Sequence, residues 1–249
     1  MAIPWVGTRR TRPKPDSMTL TEHLGELRRR LIVSVVAVVV GAGVAVVLYE
    51  PILHFLLRPL CEVNHGRCTL YVTSPLDPLS LRVKVGAFGG LVLGSPVILW
   101  EMWRFVTPGL KASEKRYAIP FVAASVALFA GGAAVAYLTL PHALGFLGTV
   151  GGSNLREIYD PISYLSLILL MMTLFGLTFE FPVVLVSLQL ARVVSAAKLL
   201  GWWRWAVILI TLVAAIFTPS SDPFSMLALA VPLTAFYFAS ILVGKLLGR

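Results

Sequence analysis

Six stretches of this sequence contain no charged side chain: 31–49, 85–100, 117–141, 161–179, 205–221 and 223–244. A helix needs about 20 residues to cross the hydrocarbon layer, so each stretch is near the length of one crossing. Helices of a soluble bundle rarely run uncharged all round for this length. With 57% of its residues apolar and only 13% charged, a soluble chain of this size could not hide its apolar surface. A transmembrane barrel needs alternation in segments of about 10 residues, and LIVSVVAVVVGAGVAVVLY does not alternate. The prediction is an all-α polytopic membrane protein with six transmembrane helices over about 27–49, 79–101, 115–140, 161–186, 203–218 and 223–243. The second reaches full length only if it begins near Leu79 and Arg82 and Lys84 extend to the headgroups.

Orientation follows from the basic residues. With the N-terminus inside, 16 of the 21 Lys and Arg fall on the cytoplasmic side; Arg58, Arg67, Arg82, Lys84 and Arg156 make 5 on the other. That division predicts both ends in the cytoplasm. The net charge of +9 is then a topology signal, and no nucleic-acid-binding module accompanies it. The polar, basic stretch before the first apolar run does not read as a cleaved signal peptide, so the first helix is expected to stay in the mature protein.

Residues 1–18, with three prolines and four basic residues, are expected to form a mobile cytoplasmic tail, and 246–249 a short cytoplasmic end. Thr19 and Glu22 have capping-box spacing. Leu20, Leu24, Leu27 and Leu31 then form an apolar stripe for the membrane surface or a neighbouring helix, with a bend expected before the first crossing. The outer segment 50–78, with four prolines, suggests a short interfacial helix followed by an ordered loop. Cys61 and Cys68 lie there, seven positions apart, where redox conditions permit a disulfide; two free thiols are the other reading, and geometry decides between them. Trp100, Trp103 and Phe105 suit a lipid interface, as do Trp202, Trp203 and Trp205. A third crossing ending near Pro141 leaves 142–160 as a second outer loop.

Chemistry is to be sought where polar groups sit in costly places. Glu180, in LTFEFPVV, is the one acid placed inside the membrane region, with Pro182 freeing a backbone carbonyl nearby. It reads as a partner contact or proton-linked group, or else as an interfacial glutamate on a helix that ends early. The cytoplasmic side has five acids, Asp16, Glu22, Glu26, Glu101 and Glu114. Glu26 and Glu114 can hold guanidinium groups through bidentate bonds. They can equally balance local charge, Glu26 with Arg30 and Glu114 with Lys115 or Arg116. No histidines have metal-ligand spacing, no His falls well inside a crossing to serve a nucleophile, and no phosphate-binding glycine loop is present, so neither an enzyme nor a cofactor is expected.

Four blocks carry a resemblance: HLGELRRRL at 23–31, SPVILWEMWRFVTPGLKASEKR at 95–116, FGLTFEFPVV at 175–184 and TPSSDPFSMLALAVPL at 218–233. Their content and order closely resemble the signature blocks of the TatC family, the receptor subunit of the twin-arginine protein translocase, over about 20–245. The resemblance implies six tilted helices in a cupped bundle and no hydrolytic activity. It also implies export of folded proteins across the cytoplasmic membrane on the proton-motive force, with single-helix TatA-type and TatB-type partners, and leaves room for self-association. Glu26 and Glu114 match the family glutamates that recognise the two arginines of a signal peptide, with Arg28 and Arg116 matching basic residues nearby. Phe105, Pro108 and Leu110 match the loop scaffold, and Glu180 the glutamate associated with partner docking. At the last outer turn Asp222 and Ser225 match the family pattern, but its second proline is missing, one residue is extra, and Met226 replaces a glutamine.

The other function classes are a secondary transporter or channel, and a scaffold without signal recognition. A transporter predicts several polar groups near the bilayer centre or broken helices in symmetric halves, and only Glu180 stands out. A scaffold shares the fold and leaves Glu26 and Glu114 as surface charge balance.

Overall fold

The computed structural model describes residues 20–63, 70–72, 74–106, 118–150, 160–220 and 222–246, and every regular element among them is an α-helix. Residues 1–18 and 247–249 lie outside this set. Five helical stretches are long and apolar enough to cross a membrane, and a sixth helix is apolar but shorter.

α1 (Leu20–Val47) is one continuous helix. No proline interrupts it, so the stripe that begins at Leu20 and the first crossing belong to one helical element. Only 11% of its apolar window is buried. What holds it is a seam against α3 (Asp77–Val106), built on Gly86, Gly90 and Gly94 at four-residue spacing. A Cβ on Gly90 would stand 2.5 Å from the Val38 carbonyl oxygen and 2.8 Å from the Ala42 nitrogen, so the two backbones touch. In lipid, where apolar burial drives little, such backbone approach is what keeps helices together.

α3 runs past its expected end at 101 to Val106 and crosses Pro96 on the way. Pro96 removes the donor for the Val92 carbonyl, and the Ser95 hydroxyl supplies one at 2.7 Å. Near the start of α3, Arg82 lies over the Tyr49 ring at 5.1 Å. Lys84 donates to Ser166 on a neighbouring helix.

The interfacial helix expected after the first crossing is α2 (Tyr49–Val63), which buries Tyr49, Leu56, Pro59 and Leu60. Pro59 frees the carbonyl four residues back, on Phe55, and Tyr137 donates to it at 2.9 Å. Tyr164 donates to the Leu56 carbonyl at 2.7 Å. Two tyrosines from two crossings thus anchor α2 at a proline-weakened turn.

α4 (Ala118–Val150) continues beyond Pro141, where it was expected to stop. Ala143 and Leu144 are buried in the core, and that packing carries the helix through a residue that neighbouring helices accommodate in membranes. The outer loop expected from 142 therefore begins no earlier than 151.

The single helix expected over 161–186 is two. α5 (Pro161–Thr178) starts on Asp160, which accepts from the Ser163 amide at 2.9 Å, and α6 (Phe181–Leu190) follows after a break at Phe179 and Glu180. Pro182, without an amide proton, is the residue that prevents one helix from running through. This crossing is the centre of the fold, 56% of its apolar window being buried against 11% for α1. Leu165, Ile168, Met171 and Phe175 of α5 meet Ala136 and Leu140 of α4 in one core with Leu229 and Leu233.

α7 (Ala196–Gly201), opened by a Ser195 cap, lies within the expected inner connection. α8 (Trp203–Phe217) and α9 (Pro223–Leu246) complete the bundle. At about 1.5 Å per residue, the 15 residues of α8 span roughly 22 Å, less than a typical hydrocarbon layer. Trp202, Trp203 and Trp205 are exposed at its start, as an interface requires. Trp103 departs from that pattern: it is buried, stacked on Phe121 at 4.3 Å and packed with Val186 and Leu190.

Candidate functional site

The seam between α1 and α3 places the start of α1 beside the end of α3, and there the charged residues collect. Arg30 donates from Nη2 to Glu26, one turn earlier on α1. Its Nη1 reaches across to α3, to the Glu101 carbonyl at 3.2 Å and to Glu101 Oε2 at 3.5 Å. Arg104 approaches Glu101 Oε1 at 3.9 Å. The result is a partly buried network of two carboxylates and two guanidiniums. Arg28, one of the predicted binding residues, is exposed on α1.

Glu101 is the residue that sequence reasoning passed over. It was visible only as one of five cytoplasmic-side acids, and its partner Arg30 is 71 positions away, a distance that only helix packing closes. The Glu101–Arg104 spacing on one helix was the available signal. Phe105 belongs to the last turn of α3, its side chain outside the described set. Pro108, Leu110, Glu114 and Arg116 lie outside the described residues, as does Cys68, whereas Cys61 on α2 is disulfide-bonded.

Glu180 sits in the α5–α6 break, 5% exposed. The buried Ser125 hydroxyl of α4 interacts with it, but neither carboxyl oxygen has a hydrogen bond of normal geometry among the described residues. Beyond it, α9 packs against α6. Ser240 of α9 donates to the Pro182 carbonyl at 3.4 Å, and Gln189 donates to the Ser240 carbonyl at 3.0 Å. Phe179, beside it, is packed edge-on against Phe236 at 5.3 Å. A buried polar group that is incompletely satisfied is costly, and this one is held between rigid helices.

Asp222 and Ser225 meet at the opposite end of the bundle from Arg30. Asp222 is 1% exposed and opens α9: its Oδ1 accepts from the Ser225 amide at 2.7 Å, and its Oδ2 from the Ser220 hydroxyl. With Pro223 as the first helical residue, this is a helix cap in a preferred form. Met226, at the position of the family glutamine, is partly buried against the core. Asp222→Ala should lower stability by about 2 kcal/mol, since it removes the cap and strands a buried amide and hydroxyl. Asp222→Asn, which can still accept, should lose less than half of that; thermal unfolding of the purified variants in detergent measures both.

Residues 22–232 match the family model described as TatC, Sec-independent protein translocase protein. A relative from Frankia casuarinae, named Sec-independent protein translocase protein TatC, is 41% identical over 98% of this chain and 70% of its own length. One of the same name from Aquifex aeolicus is 37% identical over 93% of this chain and 97% of its own. A crystal structure described as the twin-arginine translocase receptor TatC in DDM superposes with a TM-score of 0.76 at 34% identity, covering 90% of this chain and 99% of the other. A second structure of that receptor gives 0.74 at 36% identity, covering 92% and 100%. With its arrangement of apolar crossings, and with a family match spanning nearly the whole helical bundle, the chain belongs to the TatC family, the membrane core subunits of the Sec-independent, twin-arginine protein translocase.

Proposed function

We propose that this chain is the signal-peptide receptor of a twin-arginine translocase in the cytoplasmic membrane, with both termini in the cytoplasm. Glu26 and Glu114 clamp the paired arginines of the signal peptide, Arg28 and Arg116 border the clamp, and Phe105, Pro108 and Leu110 shape the loop that carries Glu114. Glu180 docks single-helix partners of the TatA and TatB type. The activity is recognition followed by recruitment, driven by the proton-motive force, with no covalent step and no cofactor.

The observation that carries this reading is the partly buried network at the start of α1, where Glu26 already holds a guanidinium. A carboxylate that binds one planar fork in a water-poor setting suits another of the same chemistry. The 16-to-5 division of basic residues supports placing that end in the cytoplasm, where a signal peptide arrives.

Photo-crosslinking of a twin-arginine signal peptide to this protein in membranes tests the reading, against a twin-lysine peptide and the Glu26→Gln and Glu114→Gln variants. Each glutamine should reduce crosslinking about 10- to 100-fold, the value of a charge-assisted hydrogen bond. Equal crosslinking in all arms would mean adhesion to an apolar surface, and the scaffold or transporter reading would replace the receptor.

A further inference from the structure

The guanidinium of Arg30 occupies the place an incoming arginine would need. It contacts Glu26 on one side and Glu101 on the other, with its side chain 13% exposed and that of Glu101 14%, while Glu26 is 28% exposed. The Glu26 side of the network is therefore the more open one. Glu101 offers Arg30 two acceptors, its carboxylate and its backbone carbonyl, and also receives Arg104, which is 57% exposed and already solvated.

We infer that Arg30 is an internal occupant of the Glu26 carboxylate, displaced onto Glu101 when a signal-peptide arginine arrives; this rests on the receptor reading above. Taking one partner from a buried ion is ordinarily costly because the ion is left bare. Here the displaced guanidinium keeps its two contacts to Glu101, and Arg104 can return to water. Exchange is thus permitted, but only for a ligand that holds Glu26 better than Arg30 does. Arg30 reaches Glu26 through Nη2 while Glu101 holds its Nη1, so a peptide arginine that presents both nitrogens to the carboxylate meets that condition. A lysine ammonium, a point charge with no bidentate geometry, competes poorly. Arg30 is in this sense a specificity-determining residue: it makes the carboxylate selective by competition, although it does not touch the cargo's arginines through the clamp itself.

The experiment measures affinities of twin-arginine and twin-lysine signal peptides for the full-length protein in nanodiscs, comparing wild type with Arg30→Gln, Arg30→Lys, Glu101→Gln, Glu26→Gln and the Arg30→Gln/Glu101→Gln double variant. With the occupant gone, Arg30→Gln should bind the twin-lysine peptide about tenfold more tightly, narrowing discrimination by a similar factor. Arg30→Lys should shift it the same way by less. Glu101→Gln, which leaves Arg30 nowhere to go, should weaken twin-arginine binding about tenfold, and the double variant should recover it. A purely structural network predicts instead that the single variants lose stability and binding together, and that the double variant is worst. Wild-type discrimination in both Arg30 variants, with Glu26→Gln still losing binding, overturns the exchange and spares the receptor. Undiminished binding in Glu26→Gln overturns both.

Discussion

Glu180→Leu is expected to make the purified protein more stable while ending its association with partner helices. The carboxyl is 5% exposed, and Ser125 interacts with it without completing a hydrogen bond of normal geometry to either oxygen. Replacing an unsatisfied buried polar group by an apolar one of similar volume relieves its desolvation cost, about 1–3 kcal/mol. For a chain of this length that raises the thermal midpoint by roughly 2–10 °C. Glu180→Gln keeps the polar atoms in place and should gain little. In membranes, crosslinking to TatA-type and TatB-type helices should fall at least about tenfold in the leucine variant, since a polar group in this setting offers a partner an interhelical hydrogen bond that lipid cannot. A lower midpoint would show that the carboxyl is satisfied within the isolated protein. A raised midpoint with undiminished crosslinking would remove Glu180 from the docking site.

Gly90→Val should detach α1 from the bundle. The new Cβ would meet backbone atoms of Val38 and Ala42 at 2.5 and 2.8 Å, and neither can rotate aside as a side chain could. Overpacking of this kind costs about 3 kcal/mol. Because so little of α1 is buried elsewhere, the damage should concentrate there: a cysteine pair across the seam should lose its crosslink while the α4–α5–α9 core keeps its protection from proteolysis. The consequence for function is direct, since the seam is what brings Arg30 to Glu101. Gly43→Val is the matched control. It lies on α1, the other helix of the pair, with nothing within 4 Å of the added carbon, and should stay within about 0.5 kcal/mol of wild type.

The two variants bracket what could be read at each level. Uncharged runs disclosed the crossings because a bilayer imposes length and apolarity on every helix separately, a condition each segment meets alone. The same holds for the Glu26–Arg30 pairing, which lies within four residues of chain. The sequence also showed Glu180 to be an expensive group, for a carboxyl in hydrocarbon is costly unless it is paired, hydrated or protonated.

Tertiary structure alone decided the rest. The passage of α3 through Pro96 and of α4 through Pro141 depends on what packs against each helix, so neither proline could mark a helix end. Trp103 looks like an interface residue by composition, yet it turns inward because a neighbouring helix supplies Phe121. Glu101 joined the site for the same reason. Three glycines on α3 let two backbones touch, and that contact, invisible to any window along the chain, carried one carboxylate to a guanidinium 71 residues away.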